Sequence, residues 1–515
     1  MSASREKKQR QGVAPSDKNA KARSEQAAYT RKVRTYTVIG VVVVILVAAL
    51  LTWNSGFFQR RATAATIGDH NLTVSELSYY YNGVRSVYAN YQVIDTSKPD
   101  SEQMYNEDEG TTYRDYFLDT ALTQAQTVQA RYDAALEAGY TLDDIQEDLD
   151  AEIQAVKDTA SASLYSYSSY VQNMYGRYMT TGTFEDLVAR ELLATKYYND
   201  TTEKTSDGFT AEDLDTYYQE HKDDVDTFKY SYLYFKAADV AQTDAEGNTL
   251  SNDEITKLKE EALAEAKTKA DEALAAYQKG STVAQVINEY SPDDSKTDNT
   301  VVGTSSISSI YKDELLKLEK NAATVVENAD SGYYLVINQA RYQDTATPAT
   351  IRDIFIQAET TTDEEGNPVA PTQEAWDAAK AKADEVMAKW EESDKTPEAF
   401  GKLAEEYSSS TNASNGGLTT GVTSGSLGDD RDSWLFEEER TAGDVTTTKR
   451  QDNPDSSTAT WGYHITYFQE WEEESWKQTA RSALTSEAMT EWSEKLLEGD
   501  TYSINQADGT KYFGY

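Results

Sequence analysis

Few residues in this chain can supply thiol or imidazole chemistry. The 515 residues include no cysteine and only three histidines, His70, His221 and His464. The lack of thiols excludes disulfides and thiolate metal sites, and the wide spacing of the histidines argues against a multi-histidine metal centre. No cofactor is therefore expected. His464 lies in the alternating, aromatic-rich segment 461–468, a pattern that predicts a β-strand.

Two earlier elements accompany the strand that carries His464. A short helix is predicted from Pro397 to about Ser408, because Thr396 suits the N-cap and proline suits the first helical position. The polar, glycine-rich loop 415–418 follows it. Taken by itself, His464 is also explained as a strand histidine whose ring makes ordinary hydrogen bonds.

The second half of the chain repeats itself. Three short landmarks occur twice in the same order: Asp244–Asn248 and Asp363–Asn367, Glu289–Ser291 and Glu406–Ser408, and Gly332–Leu335 and Gly462–Ile465. A repeat of this length predicts two tandem α+β domains. Each would contain a strand, a long helix, a short helix, an irregular loop, a further helical stretch and returning strands.

The N-terminal region differs from the rest in charge and hydropathy. Residues 1–35 carry ten Lys or Arg against three acids, whereas the whole chain has a net charge of -41. The uncharged apolar run that follows predicts a transmembrane helix over 36–53. The positive flank would place residues 1–35 in the cytoplasm and the bulk of the chain outside, as a single-pass protein of the cell membrane. A cleaved signal peptide and a buried core helix are the alternatives.

The acidic body also limits the class of partner. Nucleic acid is not expected, because neutralising phosphates requires clustered Lys and Arg. Basic or partly unfolded polypeptides are better suited to such a surface. The sequence leaves the oligomeric state open.

The order of short helix, Tyr-Ser, Gly-Gly loop and Gly-Tyr-His strand resembles a parvulin-type (PpiC, or rotamase) peptidyl-prolyl isomerase domain, in the setting of the SurA/PrsA family of extracytoplasmic foldases. The resemblance implies a multidomain α+β protein with a helical chaperone domain. Its parts would be a basic cytoplasmic tail over 1–35, a transmembrane helix over 36–53, a chaperone domain over 62–225 plus 471–515, a degenerate parvulin-like domain over 226–345 and a second one over 346–470.

The resemblance also implies the residues of an isomerase site. The family has a histidine on the first strand, a Cys or Asp after the short helix, and a histidine in the last strand. Matched position by position, these fall on Asp353, Ser410 and His464, so an aspartate replaces the first-strand histidine. If Asp353 faces His464 across adjacent strands, it would favour the charged imidazole. The implied substrate contacts are Leu418, Phe436 and Phe355.

The first repeat departs further from the family. Its corresponding positions are Tyr232, Asp293 and Tyr334, of which only Asp293 fits. This repeat is therefore expected to be structural or peptide-binding, since a fold without its site does not carry the activity.

The implied activity is cis-trans isomerisation of proline bonds in newly exported polypeptides, carried by the second repeat. Two alternatives stay open. A non-catalytic holdase would use the parvulin-like domains only to bind peptides, and the missing first-strand histidine favours it. A cell-surface scaffold would use the acidic domains as spacers.

Overall fold

The computed structural model describes residues 20–54, 56–290, 297–329, 331–363, 366, 368–437, 439–453 and 459–514. The chain divides into two compact units, Met1–Thr205 with Ala488–Tyr515, and Ser206–Glu487. The predicted mixed α+β, multidomain fold is confirmed.

Helices are present in both units. The α-helices of the described residues are α1 Ala20–Asn54, α2 Phe57–Arg60, α3 Val74–Asn90, α4 Tyr113–Glu137, α5 Gln146–Ala162, α6 Tyr167–Tyr175, α7 Thr181–Gly208, α8 Ala211–Glu220, α9 Lys222–Val225, α10 Asn252–Gln278, α11 Val283–Tyr290, α12 Lys312–Lys317, α13 Gln373–Glu392, α14 Pro397–Tyr407, α15 Asp429–Phe436 and α16 Ser475–Leu496.

The longest strands of the described residues belong to the second unit. They are β1 Thr63–Ile67, β2 His70–Thr73, β3 Met104–Asn106, β4 Thr111–Thr112, β5 Thr227–Lys236, β6 Thr297–Val302, β7 Ala323–Asn328, β8 Gly332–Tyr342, β9 Ala349–Gln357, β10 Thr361–Thr362, β11 Pro368–Val369, β12 Leu418–Val422, β13 Val445–Gln451, β14 Trp461–Trp471 and β15 Ile504–Gln506.

The N-terminal helix α1 is long and apolar enough over Tyr29–Thr52 to cross a membrane, a test that a signal sequence would also pass. The helix starts at Ala20, before the predicted residue 36. Its first turns are rich in Ala, Lys, Arg and Gln, which are strong helix formers and extend the helix into the basic segment.

The unit formed by Met1–Thr205 and Ala488–Tyr515 is mainly helical. Its core includes the fully buried side chains of Leu77, Phe117 and Phe184. Helix α3 begins with a capping box, in which Thr73 and Glu76 satisfy each other's backbone N–H groups. Strand β15, near the C-terminus, pairs with β1 and adds the third strand of a small sheet.

The unit Ser206–Glu487 contains two four-stranded antiparallel sheets with the same strand order. The first is β6-β5-β8-β7 and the second is β12-β9-β14-β13. In each sheet, apolar residues of the two central strands pack on one long and one short helix, α10 and α11 in the first and α13 and α14 in the second. Helix α14 has the predicted cap, with Thr396 accepting a hydrogen bond and Pro397 at its first position.

The near-helical spacing of apolar residues from Trp471 onward predicts an amphipathic C-terminal helix over Trp471–Gly499. The helix α16 begins at Ser475, so the predicted start is wrong. Trp471 is the last residue of β14, where it pairs with Ala349. The acidic residues that follow do not open the helix. Instead, Glu472 Oε1 accepts hydrogen bonds of 2.7 Å from Thr350 Oγ1 and from the backbone N–H of Gly421, which ties the end of β14 to two neighbouring segments.

Candidate functional site

The candidate site lies on one face of the second sheet, at its two central strands. In the antiparallel pairing of β9 and β14, Phe355 stands opposite His464 and Asp353 stands opposite Thr466. Because side chains alternate along a strand, these four residues share one face. The opposite face, which includes Ile354 and the residues around it, packs on α13 and α14.

Asp353 and His464 form a buried pair. The distance between Asp353 Oδ2 and His464 Nδ1 is 2.6 Å, and the two side chains are 10% and 8% exposed. The other carboxylate oxygen, Oδ1, accepts hydrogen bonds of 2.8 Å from Thr466 Oγ1 and 3.1 Å from Arg431 Nη1. The structure therefore brings two of the predicted site residues together and adds two that the sequence did not identify.

The surroundings of Asp353 keep its carboxylate ionised. Burial alone would raise the pKa of this group, but the hydrogen bond and charge of His464, with help from Arg431 and Thr466, outweigh burial and hold the pKa below its ordinary value. An ionised carboxylate can only accept hydrogen bonds. The proton in the 2.6 Å contact is therefore carried by His464 Nδ1.

The other ring nitrogen of His464, Nε2, is buried and makes no hydrogen bond within the described residues. Since Nδ1 is engaged with Asp353, Nε2 is the ring atom that remains for a ligand. When the ring is neutral, Nε2 would accept a hydrogen bond from a ligand. When the ring is protonated, Nε2 would donate one.

Phe355 forms one wall beside the imidazole. The two rings stack with centroids 4.5 Å apart and planes 28° apart, and the guanidinium of Arg450 lies 5.9 Å from the centre of the Phe355 ring. Gly462 lies next to this stack, where a Cβ would clash with the backbone oxygen of Ile356 and with the Phe355 ring. The close stacking of Phe355 on the strand thus requires glycine at 462.

A cavity of about 560 Å³ opens beside His464. Its lining is polar and includes Leu427, Arg431, Thr448, Arg450, Asp452 and His464. Arg431 is held in this wall by hydrogen bonds of 3.3 Å and 3.1 Å from Nε and Nη2 to the carbonyl oxygen of Leu427.

An apolar cluster continues along the same face of the sheet. Buried Ile351 and Phe468 contribute to it from the two central strands, and half-buried Leu427, Trp434 and Phe436 pack against them. Phe436 also contacts Trp471, with ring centroids 5.7 Å apart. The predicted contact residue Phe436 therefore lies on the same face as Asp353 and His464.

The loop after α14 is bonded to β9 through serine and glycine residues. Ser408 Oγ accepts a hydrogen bond of 3.0 Å from the N–H of Phe355, and Ser409 Oγ donates one of 2.8 Å to the Phe355 carbonyl. Gly417, at φ 68°, accepts one of 2.9 Å from the N–H of Asp353, and a Cβ there would clash with the backbone of Asp353.

Two of the predicted residues lie apart from the buried pair. Ser410 is half-buried, and the hydrogen bond described for it joins its backbone N–H to Ser408 Oγ, at 3.2 Å. Leu418 stands opposite Arg352. Because directly opposite residues share a face, Leu418 points to the other side of the sheet from Asp353.

The equivalent positions of the first sheet hold aromatic residues. Tyr334 stands opposite Tyr234, as His464 stands opposite Phe355. Two residues along, Tyr232 occupies the position of Asp353, and its ring lies 5.7 Å from that of Tyr334 and 5.6 Å from that of Tyr311. Asp293, the one family-like residue predicted in this repeat, lies outside the described residues.

The rotamase family, described as a PPIC-type PPIase domain, matches residues 359–470. This segment is therefore similar to a PPIC-type rotamase domain. The predicted resemblance to this family is confirmed. The match includes Ser410 and His464 and begins just after β9, which carries Asp353. No curated protein matches the chain.

Three of the similar solved structures are PrsA proteins. The PrsA structure from Bacillus anthracis is 17% identical to this chain. The match covers 30% of this chain and 59% of the PrsA chain, with a TM-score of 0.17. That of Bacillus cereus is 13% identical over 47% of this chain and 78% of its own, with a TM-score of 0.23. The foldase PrsA of Streptococcus pneumoniae is 14% identical over 43% of this chain and 68% of its own, with a TM-score of 0.18.

Proposed function

We propose that the rotamase domain is an active peptidyl-prolyl isomerase whose site is centred on His464. The observation that carries the proposal is the buried Nε2 atom of His464, which has no partner within the described residues and belongs to a ring oriented by Asp353. Isomerisation requires no covalent step, because the barrier of about 18–20 kcal/mol comes from amide resonance. A site that favours the twisted amide is sufficient.

The proposed role of His464 is to donate a hydrogen bond from Nε2. As the amide twists, the nitrogen lone pair is no longer conjugated with the carbonyl group. It can then accept a hydrogen bond. A hydrogen bond to this nitrogen stabilises the twisted state, whereas one to the carbonyl oxygen would favour the planar state. The ionised carboxylate of Asp353 supports the role, since it accepts the hydrogen bond from Nδ1 and so fixes the orientation of the ring.

The proline ring would bind at the apolar cluster next to this pair. Leu427, Trp434 and Phe436 offer half-buried apolar surface on the same face of the sheet, and Phe355 closes the side nearer to His464. Burying the ring there removes water from around the twisting bond, which strengthens a hydrogen bond from Nε2.

A protease-coupled isomerisation assay on the full chain in neutral detergent tests this function. We expect activity that falls strongly in His464→Ala and persists in Tyr334→Phe, which alters the equivalent position of the first sheet. An inactive wild-type chain that still suppresses aggregation of an unfolded protein would refute catalysis and favour the holdase. Binding to a single folded partner without either activity would favour a surface scaffold.

The first sheet is proposed to be a second parvulin-like domain that binds peptides without catalysis. Its equivalence in strand order supports the common fold, and the tyrosines at the positions of Asp353 and His464 support the loss of activity. Tyrosine rings offer wide apolar contact with a polar tip, which suits varied peptide segments. The proposed clients of the whole chain are newly exported, proline-containing polypeptides.

The chain is further proposed to be anchored in the cell membrane by α1, with residues 1–35 in the cytoplasm and the remainder outside. The apolar stretch Tyr29–Thr52 and the basic segment before it support this orientation. Alkaline extraction of membranes, together with the mass of the mature chain, tests it. A shorter chain released by alkali would identify α1 as a cleaved signal sequence.

A further inference from the structure

A cavity of about 480 Å³ in the unit Met1–Thr205 with Ala488–Tyr515 follows closely after α1 in the chain. Three arginines line it, Arg60, Arg61 and Arg190. Across the part of the chain that the structure describes, none of the three forms an ion pair with a carboxylate, and Arg190 donates a hydrogen bond of 3.1 Å to the amide oxygen of Gln129. The guanidinium groups are therefore available to an anion.

The remaining lining leaves the cavity with a net positive charge. Its two carboxylates are Glu76 and Asp186. Glu76 Oε2 is engaged by the N–H and the hydroxyl of Thr73, each at 2.8 Å, and Asp186 is exposed. Three cations against two acids give an excess of one positive charge, which is unusual in a chain of net charge -41. A phosphate diester, with its single negative charge, complements this excess.

Hydroxyl groups add hydrogen-bonding capacity to the same walls. Thr180 and Thr183 line the cavity at the start of α7, and their hydroxyl oxygens lie 2.9 Å apart. One hydroxyl of such a pair donates to the other, so the second keeps a proton for a ligand oxygen. The volume is also within the usual range for a small-molecule site.

The position of the cavity in the chain identifies the source of the anion. Arg60 ends the short helix α2, which begins three residues after the end of α1. Phe58 in that helix is 55% exposed, and the guanidinium groups of Arg60 and Arg61 lie 5.5 Å and 4.1 Å from the centre of the Phe57 ring. Exposed aromatic rings beside arginines are typical of segments at the level of lipid headgroups.

We propose that this arginine-lined cavity binds the phosphodiester headgroup of an anionic membrane lipid. The inference rests on the membrane anchoring proposed above. It also gives a role to Arg60 and Arg61, which stand on the non-cytoplasmic side of the span against the usual charge bias.

Calorimetric titration of the full chain in neutral detergent with dihexanoyl phosphatidylglycerol tests the proposal, with dihexanoyl phosphatidylcholine as the reference for partition into micelles. We expect saturable binding of the anionic lipid. In Arg60→Gln/Arg61→Gln the affinity should fall about 25-fold, because each of the two cations near an anionic lipid contributes roughly fivefold. In Arg190→Gln the affinity for the anionic lipid should fall by about fivefold.

The matched control is Lys157→Gln/Arg177→Gln. It removes two exposed cations of the same unit that do not line this cavity, and its affinity should stay within twofold of wild type. Unchanged affinity in Arg60→Gln/Arg61→Gln would overturn the proposal. Inorganic phosphate or glycerol 3-phosphate that binds as tightly as the lipid would also overturn it, by identifying a site for soluble anions.

Failure of this inference can be separated from failure of the anchoring. Arg60→Gln/Arg61→Gln retains α1, so it should resist alkaline extraction as the wild type does. A wild-type chain released by alkali contradicts the anchoring, and with it the lipid as the source. An anchored chain that binds no phosphatidylglycerol overturns the inference alone.

Discussion

Nδ1 of His464 and Oδ2 of Asp353 lie 2.6 Å apart although the residues are 111 positions apart in sequence. The antiparallel pairing of β9 and β14 makes this contact, by placing the two side chains at successive positions of one sheet face. The orientation of the imidazole thus depends on a strand that precedes the segment matched by the rotamase family.

Replacing His464 should remove isomerase activity with a smaller effect on folding. We expect His464→Ala to lower kcat/KM by about 100-fold, the usual effect of losing one hydrogen-bond donor to a transition state. His70→Ala is the matched control, because His70 is 49% exposed and belongs to the other unit. Activity that survives His464→Ala, or that falls equally in His70→Ala, would contradict the proposed site.

Asp353 should act through the orientation and charge of His464. Asp353→Asn keeps the shape but removes the negative charge that Arg431, Thr466 and His464 share. We expect a loss of about 1–3 kcal/mol in the free energy of unfolding, measured with urea, because buried donors lose a charged acceptor. kcat should fall with little change in KM, since the carboxylate does not contact substrate. A raised KM with unchanged kcat would refute the positioning role.

The Asp353 carboxylate should also make stability depend on pH in the acid range. Its pKa is lower in the folded chain than in the unfolded chain, so lowering the pH protonates the unfolded form first. Its contribution is therefore complete above the unfolded pKa of about 3.9 and is lost as the pH falls through the folded value. The urea midpoint of wild type should fall more steeply below pH 4 than that of Asp353→Asn. Parallel curves for the two proteins would contradict this.

Position 417 should require glycine for two reasons, its positive φ angle and the close approach of its backbone to Asp353. Gly417 and Gly421 have φ values of 68° and 67°, so an alanine at either costs about 1–2 kcal/mol in backbone strain. A Cβ at 417 would also clash with the backbone of Asp353, whereas a Cβ at 421 meets nothing within 4 Å. Gly417→Ala should therefore be the less stable variant in thermal unfolding and should lose activity. Equal melting temperatures for the two variants would show that the close approach is unimportant.

Part of the site could be predicted from the sequence because local patterns and the family resemblance identify it. Alternation indicates the strand that contains His464, and the N-cap pattern indicates the start of α14 at Thr396. Asp353, by contrast, is implied as the partner of His464 by the resemblance to the parvulin family. Thr466 was missed, although its place two residues after His464 puts it on the same face of β14.

Other features depend on packing that no local pattern records. Arg431 reaches Asp353 because the short helix α15 lies over the sheet, and helix placement of this kind is set by tertiary contacts. Leu418 was predicted as a substrate contact, but its register opposite Arg352 turns it to the other face. The start of α16 was predicted four residues early, since Trp471 fits the helical stripe as well as the aromatic alternation of β14.

Because Nε2 of His464 has no partner in the part of the chain that the structure describes, the melting temperature of the rotamase domain should report whether a ligand occupies the site. A buried polar atom without a hydrogen bond costs roughly 1–3 kcal/mol, and a ligand that engages it returns this free energy to the folded state. Such a ligand gains affinity for the folded chain alone, so the thermal transition rises with its concentration. A thermal-shift screen of short proline peptides can therefore rank sequences without any measurement of turnover.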